Sequence, residues 1–181
     1  EKVTVVLTGD CADELFGGYE KYLGKHYADK YNSYPNVLKV IFETGVKFVP
    51  HTNYTNHTLR KVKKVIKAAS LTPENRYLSL SSLGFQKTEK NDLLNDTFQE
   101  DVSIESLKQF NSLGISDELT QTFYSDIHLV LEGDMLAKVD RACMINSLEA
   151  RVPFLDSKIV DFSFKLPHEF KIQGTNKKRI L

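Results

Sequence analysis

The sequence has no tryptophan, two cysteines, two methionines and no formal net charge, with 24 basic residues against 24 acidic ones. Each shortage excludes something. Cys11 and Cys143 form no C-x-x-C pair, so a disulfide framework is not expected and a reducing, cytoplasmic compartment fits better. With zero net charge, nothing in the balance argues for nucleic acid or a membrane surface as a partner, and neither is expected. No apolar run approaches the roughly 20 residues that span a bilayer. Five histidines, at 26, 51, 57, 128 and 168, show no zinc-ligand spacing. The sequons at Asn53, Asn56 and Asn95 follow no signal peptide and are expected to be chance matches. What remains is ordinary: 181 residues, 41% hydrophobic and 27% charged, enough for one domain with a sizeable core.

Periodicity describes a mainly α chain with one core strand, Val3 to Leu7. A helix is expected from Ala12 to about Ala28, with Gly17-Gly18 as a close-approach point. Pro35 to Phe48 repeats apolar residues at helical spacing, with Val37, Val40, Ile41 and Val46 in one stripe. Leu59 to Ala69 turns Val62, Val65, Ile66 and Ala69 inward. Its basic side, Arg60, Lys61, Lys63, Lys64 and Lys67, reads as a solvated face rather than a phosphate or RNA patch. Thr72-Pro73-Glu74 opens a helix to about Ser81. The acidic stretch Lys87 to Asp101 reads as surface loops and short helices. Asp117 to Leu131 is a further helix, which Gly133 is expected to break before Asp134 caps the next. Asp156 caps a last helix through Phe164. Both ends look cut, since the chain opens directly into a strand and stops at Lys177-Lys178-Arg179-Ile180-Leu181, which has helical character. An excised piece of a longer protein is the expectation.

The chemistry concentrates in Leu7-Thr8-Gly9-Asp10-Cys11-Ala12-Asp13-Glu14-Leu15-Phe16-Gly17-Gly18-Tyr19. Glycine-hinged turns here place three carboxylates where a strand ends and a helix begins. Open α/β sheets bind ligands at such strand ends, and helix starts offer N–H groups to phosphate. Carboxylates at that place would repel phosphate unless Mg²⁺ lies between. A plain strand–turn–helix corner with Asp as a cap explains the residue types equally well. A second segment runs Leu136-Ala137-Lys138-Val139-Asp140-Arg141-Ala142-Cys143-Met144, then Ser147-Leu148-Glu149-Ala150-Arg151-Val152-Pro153-Phe154-Leu155-Asp156. Leu136, Val139, Cys143, Met144 and Ser147 share a stripe expected to face a core. Asp134 and Lys138 can pair at i, i+4. The charges of Lys138, Asp140, Arg141, Glu149 and Arg151 are expected to be partly buried in ion-pair networks.

Both segments resemble the glutamine-dependent asparagine synthetases, whose synthetase domain reads close to [ST]-G-[DE]-G-[AS]-D-E-[LV]-F-G-G-Y. Its second segment is roughly L-x-K-x-D-R-x-x-M, then S-x-E-x-R-x-P-F-L-D. Two long matches in the right order are far more specific than either alone, though they cover about a fifth of the chain. The resemblance implies part of an α/β adenine-nucleotide α-hydrolase-like (PP-loop) synthetase domain over 1–181. It implies ATP and Mg²⁺ as cofactors, aspartate and glutamine-derived ammonia as substrates, and the protein's own N-terminal glutaminase domain as partner. A homodimer is compatible with it. Asp10 would then handle protons when ammonia attacks the acyl-adenylate. Gly9 and Asp13 would face the nucleotide, with Asp13 holding Mg²⁺ against pyrophosphate. Glu14 is expected to act as a favourable charge at a helix start. Lys138, Asp140 and Arg141 read as scaffolding beside the cleft, and Glu149 and Arg151 are the residues nearest to substrate contact.

Some features depart from that pattern. Cys11 stands where glycine is commoner, so a positive φ there would strain it, and no histidine nearby would make it a nucleophile. The S-G-G-x-D-S pyrophosphate loop, the glutaminase cysteine and the family's downstream lysine are not in these residues, so the isolated piece is expected to be inactive. A β-lactam-synthetase-like or pathway-specific amidotransferase on the same scaffold, and a non-catalytic helical interaction module, are the alternatives. Carboxylates at a strand end do nothing for the latter.

Overall fold

The computed structural model describes residues 3–48, 55–81, 93, 108, 112 and 114–181. They fall into two units, Glu1–Tyr22 with Leu113–Leu181, and Leu23–Ser112. In chain order the described elements begin with β1 (Val5–Leu7), α1 (Ala12–Phe16), a 3₁₀ turn (Glu20–Leu23), α2 (Gly24–Asn32), α3 (Asn36–Phe48), α4 (Thr55–Ala69) and α5 (Pro73–Ser81). Then come α6 (Glu118–Ser125), a π-helix (Asp126–Leu136), α7 (Ala137–Ile145), β2 (Glu149–Arg151), a 3₁₀ turn (Pro153–Leu155), α8 (Ser157–Lys165) and α9 (His168–Lys171).

In the first unit β1 is not alone. It pairs in parallel with β2, Val5 opposite Glu149, Val6 opposite Ala150 and Leu7 opposite Arg151. The expected single core strand is therefore corrected to a two-stranded sheet. Pro153 keeps Val152 extended and so prolongs the run that makes β2. Nor is this pair the core: Val5 is 42% and Leu7 73% exposed. The core lies one step on, where Cys11, Leu15, Phe16 and Leu131 bury together and Ile127, Met135, Phe154 and Val160 pack against them.

The expected helix Ala12–Ala28 stops after five residues, because Gly17 turns left-handed at φ 74°. Such a turn is a frequent helix ending and is easiest for glycine. Gly133 does the opposite of what was expected. The helix capped by Asp117, whose carboxylate accepts from the Thr120 N–H at 2.7 Å, continues through it as a π-helix into α7. One glycine costs a helix only about 1 kcal/mol, and Leu131 in the same segment is 1% exposed. Asp134 caps nothing and instead pairs with Lys138 at 3.0 Å. Asp156 does cap α8, accepting from the Lys158 N–H at 2.9 Å. Past α9 the chain makes a Gln173–Asn176 bridge and turns, so the helical character expected over 177–181 is corrected to turns.

The second unit is helical. Gly24 lets α2 approach Leu80 of α5, for a Cβ there would lie 2.1 Å from Leu80 Cδ1. Arg76, 9% exposed, donates to the carbonyls of Ala68 at 3.1 Å and Leu71 at 3.0 Å. It thereby satisfies acceptors that the end of α4 leaves open. Arg60, Lys61, Lys63 and Lys67 are exposed, as a solvated face should be, while Lys64 is half-buried and donates to the Leu80 carbonyl. The stripe Val37, Val40 and Ile41 is 71%, 62% and 62% exposed. The acidic stretch 87–101 lies outside the described residues, except for Leu93.

Candidate active site

The two sequence segments meet through the β1–β2 pairing. The Thr8 N–H donates to the Arg151 carbonyl at 2.9 Å, and the Glu149 N–H to the Thr4 carbonyl at 2.8 Å. Gly9 and Asp10 therefore leave β1 just where Arg151 ends β2. The turn between β1 and α1 runs through Cys11 at φ 72°, the strained conformation expected for a residue standing in a glycine-like position. Cys11 is 2% exposed. Burial first, then the charges of Glu14 and Asp10, push its thiol up to about 12. A thiol held protonated is no nucleophile.

Asp10, in the turn before α1, and Asp13, on the helix, are half-buried, while Glu14 is buried, so the two carboxylates on α1 divide by helix face. Asp13 Oδ1 lies 2.8 Å from Lys178 Nζ, with both side chains partly open to solvent. Gly18 makes room for this pair. A Cβ at Gly18 would come within 1.5 Å of Asp13 Oδ1 and 2.4 Å of Lys178 Cε. Gly17 is close-packed as well, with 2.7 Å from a notional Cβ to Ile172 Cδ1. The expected close approach at Gly17-Gly18 is thus found, and what approaches is the segment after α9.

Glu14 turns inward and accepts from the Tyr19 hydroxyl at 2.8 Å. Burial holds its carboxyl above the usual range, against the Tyr19 hydrogen bond that lowers it. Beneath it Asp126, fully buried, is paired with Lys21 at 2.6 Å. Desolvation, with the Asp126 charge beside it, drives the Tyr22 hydroxyl far above its ordinary value. Lys171 is 1% exposed, its Nζ 4.6 Å from the Phe123 ring centroid and 5.4 Å from that of Phe164. Burial lowers its ammonium to about 8.

The second segment differs from expectation in burial. Lys138, Asp140, Arg141, Glu149 and Arg151 are all exposed, so no buried ion-pair network forms among them. Lys138 pairs with Asp134, and Arg151 Nε with Glu149 Oε1 at 2.7 Å. Alternate residues of an extended strand share a face, which is why that last pair closes. Met144 and Ser147 are exposed, Met144 by 66%, and only Leu136, Val139 and Cys143 of the stripe are half-buried. Among the described residues no ion pair joins Lys138, Asp140 or Arg141 to Asp10 or Asp13.

Among the described residues no three His, Cys, Asp or Glu side chains converge on a metal position. The half-buried Asp13 carboxylate is paired with the Lys178 ammonium, so a cation bound there would displace Lys178 or share the carboxylate with it. Mg²⁺ characteristically takes one or two carboxylates and completes its shell with phosphate and water. Lys178, Tyr19, Lys21 and Asp126 escaped the sequence reading as site residues. Only Tyr19 carried a signal, as the last residue of the first motif. Lys21 and Asp126 stand 105 positions apart and nothing in spacing could join them.

Compared with known proteins, residues 1–181 match the family model described as asparagine synthase. The chain is 30% identical over 181 residues to asparagine synthetase [glutamine-hydrolyzing] 1 of Bacillus subtilis, covering 99% of this chain and 27% of that protein. It is 32% identical to the putative asparagine synthetase [glutamine-hydrolyzing] of Mycobacterium tuberculosis, covering 99% of this chain and 26% of the relative. It therefore spans about a quarter of the length of these relatives. No solved structure matches the chain significantly. No helix of the described residues is long and apolar enough to cross a membrane.

Proposed function

The chain belongs to the asparagine synthase family, and from that premise we propose that it supplies part of the active site of a glutamine-dependent, ATP-using ligase. In this reading the intact protein, built on a PP-loop synthetase domain, activates aspartate as a β-aspartyl adenylate. Ammonia released from glutamine in its own glutaminase domain then gives asparagine. Asp13 would hold Mg²⁺, whose positive charge favours departure of pyrophosphate when bound. Lys178 would share the neutralisation of Asp13 and of an incoming phosphate. Asp10, half-buried just past β1, would take a proton from an ammonium-like centre. Arg151 and Glu149 line the neighbouring strand end, and Lys138, Asp140 and Arg141 stay on the outer face of α7.

One observation supports this reading most: the β1–β2 pairing sets Leu7 opposite Arg151. Two motifs distant in sequence thereby converge on one strand end, where open α/β sheets place their ligands. The test uses the full-length enzyme. Asp13→Asn keeps the shape and removes the charge, so ATP–pyrophosphate exchange should fall and recover in part at higher Mg²⁺. Asp10→Asn should spare exchange and depress asparagine release. Full exchange by Asp13→Asn at ordinary Mg²⁺ would sink the assignment.

A further inference from the structure

A helix of five residues does not hold its own orientation. The direction in which α1 points Asp13 is therefore set by what its buried face touches. Part of that face is apolar, Leu15 and Phe16 against Leu131 and its neighbours. Apolar contact is non-directional and fixes a rotation about the helix axis only loosely. The remainder is polar and continuous. Glu14, 2% exposed, accepts from Tyr19 at 2.8 Å. Lys21 Nζ lies 5.2 Å from the Tyr19 ring centroid and 5.9 Å from that of Tyr22. The same Nζ holds fully buried Asp126, the first residue of the π-helix, at 2.6 Å. Hydrogen bonds and ion pairs away from water are directional, and they specify one arrangement more sharply than packing does.

We propose that Glu14 is a positioning residue: through Tyr19, Lys21 and Asp126 it pins α1 to the π-helix and so aims Asp13 at its cation. This rests on the functional reading above for what the cation is, and on the Asp13–Lys178 pair for where the carboxylate points. It also accounts for the split of the motif's carboxylates, since Glu14 faces inward and cannot be a ligand beside Asp13.

The test is made in the full-length enzyme with Glu14→Gln, Glu14→Leu and Tyr19→Phe. Two quantities are read besides the melting temperature. One is the yield of a zero-length carbodiimide cross-link between Asp13 and Lys178, located by mass spectrometry. The other is the Mg²⁺ concentration that half-saturates ATP–pyrophosphate exchange. Glu14→Gln should match the wild type in both, because its amide oxygen still accepts from Tyr19. Glu14→Leu leaves the half-buried Tyr19 hydroxyl without its acceptor, a desolvated donor left unpaired, and the melting temperature should fall while the fold survives. Its cross-link yield should also fall, and its Mg²⁺ requirement rise, by about fivefold or more, the scale on which small misplacements act. Tyr19→Phe should do the same, and it carries the test alone should Glu14→Leu not fold. Wild-type cross-linking in both Glu14→Leu and Tyr19→Phe would overturn the proposal and make Glu14 a passive core residue. Damage by Glu14→Gln equal to that by Glu14→Leu would also overturn it, in favour of direct ligation. Absence of exchange in the wild type would count against the functional reading, while the cross-link would still decide this one.

Discussion

Gly17→Ala and Gly18→Ala place the same methyl group at adjacent positions, and the structure assigns them opposite consequences. Gly17 sits at φ 74°, where a residue with a Cβ costs about 1–2 kcal/mol. Its new methyl would meet Ile172 at 2.7 Å, and overpacking a filled site adds roughly 1–3 kcal/mol. Reduced freedom of the unfolded chain returns about 0.4–1 kcal/mol. The net is a loss of about 1–5 kcal/mol, by the same estimates. Gly18 carries no such backbone strain. Its methyl would meet only side-chain ends, Asp13 Oδ1 at 1.5 Å and Lys178 Cε at 2.4 Å, and both can swing aside. The ion pair they would lose is partly exposed, a class worth at most about 1 kcal/mol. Gly18→Ala should therefore melt close to the wild type yet lose ATP–pyrophosphate exchange by tenfold or more, at about 1.4 kcal/mol per tenfold. Gly17→Ala should melt clearly lower. Differential scanning fluorimetry beside exchange kinetics on the full-length enzyme reads both. Wild-type exchange by Gly18→Ala, or an unshifted melting temperature for Gly17→Ala, would refute the reasoning.

Lys171→Met should stabilise the protein at pH 7. The lysine's folded-state value, about 8 against 10.5, means the buried ammonium opposes folding below pH 8, and this penalty fades as pH rises from 8 to 10.5. It amounts to about 3 kcal/mol at most, from 1.36 kcal/mol per unit, and urea titrations of wild type and variant at pH 7 and 10 should show the gap closing. Asp117 behaves in the opposite sense: despite burial, its cap to Thr120 and its contact with His168 hold its carboxyl below 3.8. Its stabilisation is thus full above the ordinary value and is lost as pH falls below it. Asp117→Asn should flatten the acid limb of a stability–pH curve measured between pH 5 and 2. Arg151→Ala removes a pair whose side chains are 65% and 58% exposed, so the melting temperature should barely move, by less than about 1 kcal/mol of stability. A large drop would show that Arg151 is buried in the intact enzyme. The purified 181 residues should bind ATP weakly and show no exchange; exchange abolished by Asp13→Asn would overturn that expectation.

The local signals in the sequence were sound wherever the physics is local. Thr72-Pro73 opened α5 at Pro73, Asp117 and Asp156 capped their helices, and the departure at Cys11 matched a left-handed backbone. The family was legible too, since the residue types of two short runs carry the resemblance. What the sequence could not decide depends on partners far along the chain. β1 reads as one buried strand until β2, more than a hundred residues away, takes its edge. Gly133 reads as a breaker because propensity weighs one residue, whereas tertiary burial of Leu131 and Asp126 holds the whole helix through it. The second segment's charges read as buried because apolar neighbours surround them in sequence, yet α7 leaves Lys138, Asp140 and Arg141 exposed and β2 does the same for Glu149 and Arg151. Above all, that Asp13 pairs with Lys178 near the surface while its neighbour Glu14 turns into the core is a matter of rotation about α1. That rotation is set by Lys21 and Asp126 meeting across 105 positions, and only the folded chain brings them together.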